Sequence, residues 1–224
     1  MDATAPLAPF DADTALLVID MQRDFLDPRG YAAQAGLDVE ALRAAIPGVQ
    51  TLLDAARRQG LLIVHTREGH RPDLSDCPPS KRMRSERAGA TIGSPGPLGR
   101  LLVRGEYGHD FIDALAPQAG ECVVDKPGYS AFHQTGLQQI LGARGIRQLI
   151  ISGVTTEVCV HSTLRSAVDR GYTCWVAADA CASADARLHR AALDMICVEG
   201  GIFGDVQSSA ELAAAIDATT REPA

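Results

Sequence analysis

Three residues far apart in this chain are of types that cooperate in nucleophilic catalysis. Asp20 and Lys126 each end or follow an apolar run typical of a buried strand, and Cys159 lies a few residues beyond another such run. A cysteine attacks as its thiolate, and a carboxylate within hydrogen-bond reach can remove its proton and return it to a leaving amine. A nearby lysine favours the thiolate. These three residues are therefore candidates for a catalytic site.

The stretch around Cys159 predicts where this residue lies. Residues 149–152 form an apolar strand run, Gly153 marks a turn, and the spacing of one helical face recurs at Val160, Leu164, Ala167 and Val168. Cys159 thus falls in the first turn of a helix, where backbone N–H groups and the helix dipole favour a thiolate. The alternative is that Cys159 is an ordinary small core residue.

Apolar runs and amphipathic segments alternate along the chain. The runs begin at Ala15, Leu61, Glu121, Leu149 and Thr173, and further helices are predicted at about 38–58, 136–144, 185–198 and 209–218. This alternation predicts an α/β protein with a doubly wound parallel sheet. Because the carboxyl ends of parallel strands share one edge, the three candidate residues can converge there.

The 224 residues are enough for one large domain. Residues 1–13, rich in Ala, Pro and Asp, predict a flexible N-terminal arm, and residues 14–224 a single domain. Between residues 66 and 110 the periodicity is lost in a segment rich in Arg, Pro and Gly. We expect a long loop insertion there, which is an active-site lid, a subunit contact or a solvated loop.

Composition argues against several function classes. The chain is 46% hydrophobic and 22% charged, as in ordinary globular proteins, and its net charge of −7 argues against a nucleic-acid or acidic-membrane partner. No apolar run approaches the roughly 20 residues that a membrane span needs, and the N-terminus lacks the pattern of a signal peptide. The six cysteines have no metal-site spacing. We expect a cytoplasmic protein with a small-molecule substrate.

Longer motifs surround the three candidates. Asp20 stands in Val-Ile-Asp-Met-Gln-Arg-Asp-Phe, Lys126 in Val-Val-Asp-Lys-Pro, and Cys159 in Gly-Val-Thr-Thr-Glu-Val-Cys-Val. In this order and spacing the chain resembles the isochorismatase-like cysteine hydrolases, from about Thr14 to Ile216. The resemblance implies a Rossmann-like, three-layer α/β/α sandwich around a six-stranded, mainly parallel sheet. It also implies a homotetramer or homodimer.

The resemblance assigns roles to individual residues. Asp20 would be the general base and acid, Lys126 its electrostatic partner and Cys159 the nucleophile. The backbone N–H groups of Thr155 and Cys159 would form the oxyanion hole. A non-proline cis peptide bond would join Val154 and Thr155.

Wider segments at 67–74, 93–97, 104–106 and 200–204 resemble the branch that hydrolyses biuret and related linear ureas. There the cysteine attacks a urea-type carbonyl, ammonia leaves, and water hydrolyses the carbamoyl thioester. Glu199 stands where that branch has a glutamine that binds the substrate's amide end. Because a carboxylate only accepts hydrogen bonds, Glu199 favours an NH-rich or cationic substrate such as triuret or guanylurea, unless it is a surface acid. Phe25, Tyr129 and Arg71 are further candidates for substrate binding.

Glu68 and His70 stand where the nicotinamidase branch has an Asp-x-His metal pair. The second histidine of that branch has no match, and two ligands are too few for a tight catalytic site. We therefore expect no metal and no other cofactor.

Three other functions remain open. An N-carbamoyl amino acid amidase needs a cationic carboxylate clamp, which Arg23 or an arginine at 82–87 could supply. Ether hydrolysis of isochorismate does not require a nucleophilic cysteine, so Cys159 disfavours it. A non-catalytic binding protein of the same fold is disfavoured by the intact set of candidate residues.

Overall fold

The computed structural model describes residues 10–219, so the first nine residues of the predicted arm and residues 220–224 lie outside the described part. The strands are β1 (Thr14–Ile19), β2 (Leu62–Glu68), β3 (Pro95–Gly96), β4 (Gly99–Arg100), β5 (Cys122–Lys126), β6 (Gln148–Val154), β7 (Thr173–Ala182) and β8 (Asp205–Gln207). The helices are α1 (Arg23–Leu26), α2 (Tyr31–Gln34), α3 (Val39–Arg43), α4 (Ile46–Gln59), α5 (Pro79–Arg87), α6 (Leu137–Ala143), α7 (His161–Val168), α8 (Ala186–Ile196), α9 (Val198–Gly201) and α10 (Ser209–Ala218). A 3₁₀ turn spans Asp113–Leu115 and a π-helical turn spans Thr156–Val160.

The main sheet has six strands in the order β5-β2-β1-β6-β7-β8, and all of them pair in parallel. Every residue of the central strand β1, Thr-Ala-Leu-Leu-Val-Ile, is buried. A continuous apolar run of this kind is expected for a strand covered on both faces. The predicted six-stranded parallel sheet is confirmed.

Side chains of β1 alternate between two apolar cores. Leu16 and Val18 pack in a cluster with residues of α4 and α10, whereas Leu17 and Ile19 pack in a second cluster with residues of α6 and α7. Helices therefore cover both faces of the sheet, which is the predicted three-layer α/β/α sandwich. Within residues 10–219, no helix combines the length and the apolar character needed to cross a bilayer.

Two details differ from the sequence-based expectation. The helix predicted at about 38–58 is two helices, α3 and α4, and Pro47 lies in the first turn of the second. Proline lacks an amide hydrogen, which makes it suited to the start of a helix and unsuited to its interior. At the end of the predicted arm, Phe10 is buried and its ring lies edge-on against Trp175, with 4.9 Å between centroids. The arm is therefore anchored from Phe10 onward.

The segment 66–110, expected to be a structureless insertion, contains regular structure. Strand β2 continues to Glu68, α5 spans Pro79–Arg87, and β3 and β4 form a small antiparallel pair. Residues 79–87 lack the periodic apolar pattern of a helix because Met83 is their only large apolar residue, and Met83 is itself 44% exposed. The buried Asp24 holds the segment in place, since its carboxylate accepts a hydrogen bond from the Leu102 N–H at 3.0 Å.

The carboxyl ends of β1, β2, β5 and β6 meet at one edge of the sheet. The register places Ile19 beside both Thr66 and Gly153, and Glu68 beside Lys126. Gly153 has φ 113°, and a Cβ atom there would collide with the backbone of Ile19. Glycine is thus required for β6 to end this close to β1.

Candidate active site

The side chains of Asp20, Lys126 and Cys159 meet at this edge. The Nζ of Lys126 lies 2.7 Å from Asp20 Oδ2 and 3.4 Å from Cys159 Sγ, and it donates to the carbonyl of Gly128 at 3.1 Å. The hydroxyl of Thr66 donates to Asp20 Oδ1 at 2.6 Å. Residues separated by more than a hundred positions in sequence therefore form one buried contact group.

Cys159 lies in the π-helical turn that leads into α7. The peptide bond between Val154 and Thr155 is cis, as the resemblance implied. After it, the chain turns so that the N–H groups of Val158 and Val160 both donate to the Thr155 carbonyl at 3.2 Å. The turn places Cys159 at the start of the helix and beside the ends of the central strands.

Two further charged residues belong to the group, and neither was among the predicted catalytic residues. Glu68, the last residue of β2, accepts a hydrogen bond from the Cys159 thiol, with 3.2 Å between Sγ and Oε2. Its other oxygen, Oε1, lies 2.6 Å from the Nζ of Lys81, which comes from α5. Glu68 gave the same signal as Asp20, a carboxylate just past an apolar strand run. Lys81 gave no signal because it lies in the aperiodic segment.

Burial sets the protonation of Cys159 and Asp20. It raises the pKa of Cys159 well above the usual thiol value, and the carboxylates of Glu68 and Asp20 raise it further, although Lys126 lowers it. Burial raises the pKa of Asp20 as well, although Lys126 lowers it, and the Glu68 carboxylate adds to the rise. The resting group is therefore a thiol, not the thiolate expected from its helical position, and its attack requires a base.

Glu68 and Lys126 are both charged at neutral pH. Burial by itself would raise the pKa of Glu68, but the ammonium groups of Lys126 and Lys81 outweigh it and hold the pKa at about 2. Burial by itself would lower the pKa of Lys126, but Asp20, Cys159 and Glu68 keep it above its ordinary value. The group thus contains a permanent anion and a permanent cation around the thiol.

A cavity of about 250 Å³ opens onto Cys159. Phe25 and Tyr129, which were predicted to bind substrate, both line it, and so does Thr155. The rest of the wall is mostly apolar, with a cationic side from α5, and consists of Tyr31, Leu37, Glu68, Lys81, Arg84, Ser85, Ala88, Ile92, Leu102 and Val158. Its size and mostly apolar wall suit a small molecule held by a few polar groups.

Two predicted substrate-binding residues, Glu199 and Arg71, do not line this cavity. Glu199 is exposed, and its left-handed backbone (φ 52°) turns the chain after α8. Arg71 is also exposed, and its backbone N–H donates to the carboxylate of Asp76 at 2.9 Å. Their expected role in substrate binding stays a prediction. Arg71 lies in a loop, and Glu199 lies in α9 at a residue with non-helical backbone angles, so no regular local pattern sets the direction of either side chain.

The group does not fit a metal ion. Asp20, Glu68 and Cys159 present oxygen and sulfur atoms within 4.8 Å of one another. The Lys126 ammonium contacts all three of these side chains, at 2.7 Å from Asp20 and 3.4 Å from each of the other two. A metal cation among the same atoms would face this ammonium at close range.

The chain is similar in sequence to one protein family and in structure to several solved proteins. The sequence model of the Isochorismatase domain family matches residues 14–211. A cysteine hydrolase from Pseudomonas syringae pv. phaseolicola 1448A is 30% identical, with a TM-score of 0.81 over 97% of each chain. An isochorismatase family protein from Desulfovibrio vulgaris subsp. vulgaris str. Hildenborough is 29% identical (TM-score 0.76; 91% of this chain, 98% of that one). N-carbamoylsarcosine amidase from Thermoplasma acidophilum is 27% identical (TM-score 0.67; 88% of this chain, 96% of that one).

Proposed function

The chain belongs to the isochorismatase domain family, and from this membership we propose that it is a cysteine hydrolase that cleaves a C–N bond of a small linear urea. Biuret, triuret and guanylurea-like compounds are the proposed substrates. The observation that carries the proposal is the Cys159 thiol, which faces a small cavity and lies within 3.2–3.4 Å of a buried carboxylate and a buried ammonium. The motifs at 67–74, 93–97, 104–106 and 200–204 support the choice of linear ureas.

In the first half of the proposed reaction, Cys159 Sγ attacks the carbonyl carbon of the urea. The thiol gives its proton to a carboxylate of the site, and the π electrons of the carbonyl move to its oxygen. The backbone N–H groups of Thr155 and Cys159 stabilise this oxyanion. Asp20, whose raised pKa suits an acid, protonates the leaving nitrogen, the C–N bond breaks, and ammonia leaves.

In the second half, water attacks the carbamoyl thioester. A carboxylate accepts the proton of the water, the C–S bond breaks, and the thiol regains its proton. The net change is hydrolysis of one C–N bond with release of one ammonia. Throughout, Lys126 balances the negative charge of the buried carboxylates and oxyanion.

A second candidate is an N-carbamoyl amino acid amidase. Arg84 lines the cavity, and among residues 10–219 no carboxylate lies within 4.0 Å of its guanidinium. This arginine could bind the carboxylate of such a substrate. The other predicted clamp, Arg23, pairs with Asp113 and does not line the cavity. The similarity to an N-carbamoylsarcosine amidase also supports this candidate.

Ammonia release from a substrate panel tests the proposal. Purified protein is assayed with biuret, triuret, guanylurea, N-carbamoylsarcosine and nicotinamide, and a Cys159→Ser variant is the matched control. We expect the highest kcat/KM for a linear urea. Activity confined to N-carbamoylsarcosine would favour the second candidate. No release from any compound would reject the hydrolase and favour a binding protein of this fold.

We also propose that the protein is cytoplasmic and forms a homotetramer or homodimer. All six cysteines are free thiols, which suits a reducing compartment. Self-association is supported by four large apolar side chains that are 44–50% exposed on and just after α8, namely Leu188, Met195, Val198 and Ile202. Light scattering during size-exclusion chromatography measures the assembled mass, and a monomer at micromolar concentration would reject this assembly.

A further inference from the structure

We propose that Arg84 and Tyr31 bind the far end of the substrate, the end away from the carbonyl that Cys159 attacks, and that they select a far end with an acceptor oxygen and no positive charge. This inference rests on the proposed function and narrows it, because it favours biuret and triuret over the cationic guanylurea. A carboxylate such as Glu199 in that position would favour the opposite, an NH-rich or cationic end. The two preferences are separable by experiment.

One face of α5 lines the Cys159 cavity. Its residues there are Lys81, Arg84, Ser85 and Ala88, and positions i, i+3, i+4 and i+7 lie on one side of a helix. Lys81 reaches the catalytic group, since its Nζ lies 2.6 Å from Glu68 Oε1. Arg84 follows three residues later, about 4.5 Å along the helix axis. It therefore belongs to the same wall, one turn away from the residue that contacts the catalytic group.

Arg84 has no partner in the part of the chain that the structure describes. Its guanidinium forms neither an ion pair nor a hydrogen bond there, whereas Lys81 is paired with Glu68. Arg84, Lys81 and Tyr129 also line a second cavity of about 480 Å³, so Arg84 lies at the border between the two cavities. A guanidinium offers five N–H donors and no acceptor. These donors are free for a ligand that extends away from Cys159.

The other free side-chain groups of the cavity wall are hydroxyls. Those of Tyr31, Tyr129 and Thr155 form no hydrogen bond within residues 10–219. Burial first, and then the Glu68 carboxylate, raise the pKa of Tyr31 to about 12, so its hydroxyl keeps its proton at neutral pH and can donate it to a hydrogen bond. None of these free groups is an anion. A ligand with acceptor oxygens therefore satisfies more of them than a ligand with N–H groups alone.

The charged side chains of the catalytic group and of the cavity wall leave an excess of positive charge. Glu68 lies 2.6 Å from Lys81. Asp20 likewise lies 2.7 Å from Lys126, so each carboxylate has its own ammonium partner. Arg84 adds a cation to these two pairs, and protonation of Asp20 would only enlarge the excess. A cationic far end is repelled by this excess, whereas a carbonyl oxygen or a carboxylate is attracted.

The rest of the wall gives a polar far end few alternatives. It is formed by apolar side chains, namely Phe25, Leu37, Ala88, Ile92, Leu102 and Val158. A carbonyl oxygen that leaves water and finds no donor costs free energy. The far-end oxygen of a bound urea is therefore expected at Arg84 and Tyr31, where free donors lie.

Charged thiol reagents test the charge of the cavity without any urea. 2-Sulfonatoethyl and 2-(trimethylammonio)ethyl methanethiosulfonate react with Cys159, and mass spectrometry of its peptide gives both rates. The ratio of the anionic to the cationic rate cancels changes in the reactivity of the thiol itself. For Arg84→Gln we expect this ratio to fall about 3-fold or more at low ionic strength. The ratio at the exposed Cys197 should stay unchanged.

Steady-state kinetics test which far ends the site accepts. In the native protein we expect a higher kcat/KM for biuret and triuret than for guanylurea. Arg84→Gln should raise KM for biuret and triuret about 10-fold and change kcat less than about 3-fold, because far-end contacts form equally in the ground state and the transition state. The kcat/KM for guanylurea should not fall. Tyr31→Phe removes one neutral donor and should raise KM for biuret and triuret about 3-fold.

Two variants of α5 serve as controls. Arg82→Gln removes an exposed arginine of the same helix that does not line the cavity, so the reagent ratio and KM should stay native. Arg84→Lys keeps the positive charge, so its reagent ratio should stay within about 2-fold of the native value. If N-carbamoylsarcosine is the compound hydrolysed, Arg84→Gln should raise its KM as well, since a carboxylate is also an acceptor.

Either of two results would overturn the inference. One is an unchanged reagent ratio in Arg84→Gln, and the other is a native preference for guanylurea over biuret and triuret, which would support an anionic end group such as Glu199. If no compound of the panel is hydrolysed while the ratio falls in Arg84→Gln, the proposed function is rejected and the charge preference of the cavity stands. Hydrolysis of a linear urea with an unchanged ratio rejects this inference alone.

Discussion

Two groups of charged side chains lie near opposite ends of the paired segment of strands β2 and β5, and they differ in what they face. At the carboxyl ends, Glu68 and Lys126 surround the Cys159 thiol and border a cavity. Toward the amino end of β5, Glu121 lies 2.7 Å from Arg57 Nε and 2.8 Å from His65 Nε2. None of the three residues of this second group lines the Cys159 cavity.

The difference lies in how completely each group pairs its charges internally. Both oxygens of Glu121 are occupied by Arg57, His65 and the N–H of Gln118. At the other end, one oxygen of Glu68 accepts a hydrogen bond from the thiol of Cys159. Removing one partner from an ionic group whose charges satisfy one another destabilises the fold, whereas charges arranged around a nucleophile tune its reactivity. The same strand pair thus supports a structural cluster and a chemical one.

The sharpest test of this comparison is removal of the nucleophile. Cys159→Ser should reduce turnover by about 10³-fold or more, because a serine hydroxyl is a far weaker nucleophile here. The free energy of unfolding should change little, as measured in urea. Cys122→Ser, a half-buried cysteine on β5, is the matched control and should keep full activity. An active Cys159→Ser enzyme would remove the nucleophile assignment.

The next test removes the cation from each group in turn. Lys126→Met leaves Asp20 and Glu68 without their shared partner, so we expect a loss of about 3–5 kcal/mol in the free energy of unfolding at pH 7, together with loss of activity. Arg57→Met should cost about 1–3 kcal/mol and leave kcat within about 2-fold of the native value. Urea unfolding and steady-state kinetics measure both effects.

The opposite pattern would contradict the division between the two groups. If Arg57→Met abolished turnover in a folded protein, the Glu121 group would have a chemical role. If Lys126→Met kept full activity, the positive charge would not belong to the catalytic site.

The smallest expected effect is on how the free energy of unfolding depends on pH, and it concerns the Glu121 group alone. Burial would raise the pKa of Glu121, but hydrogen bonds from Arg57, the Gln118 N–H and His65 lower it from 4.5 to about 2. A lowered folded-state pKa contributes stability that is present above pH 4.5 and is lost as the pH falls toward 2. Glu121→Gln should therefore be less stable by about 1–3 kcal/mol at pH 7, and this difference should shrink between pH 4.5 and pH 2.

Urea unfolding at several pH values measures that difference, with turnover at pH 7 as the functional control. A constant gap between the native protein and Glu121→Gln down to pH 2 would show that Glu121 is not stabilised as an ion. Loss of turnover in Glu121→Gln would again weaken the separation of the two groups.

Much of the site was predictable because it depends on the ends of buried strands. A run of apolar residues predicts a strand covered on both faces, and parallel pairing brings the carboxyl ends of such strands to one edge. Asp20, Lys126 and Cys159 follow from that rule, and the cis bond before Thr155 followed from the resemblance. Glu68 satisfies the same rule, but together with His70 it also stands where a related branch has a metal pair.

The segment 66–110 and the chain around Glu199 could not be predicted in the same way. Lys81 reaches Glu68 because α5 packs over the sheet edge, and Asp24 accepts the Leu102 N–H from within the protein. Arg71 and Glu199 turn outward instead. These directions are set by contacts between residues far apart in sequence, which leave no periodic pattern.

The sequence by itself therefore determined the α/β sandwich, the family and the three residues at the strand ends, since each depends on local runs and their order. Only the tertiary structure decided that the Cys159 thiol faces Glu68, that Lys81 pairs with the other oxygen of Glu68, and that Phe25 and Tyr129 form walls of the cavity. The physical reason is that strand runs encode position along the sheet, whereas burial of a particular charge depends on every element packed around it.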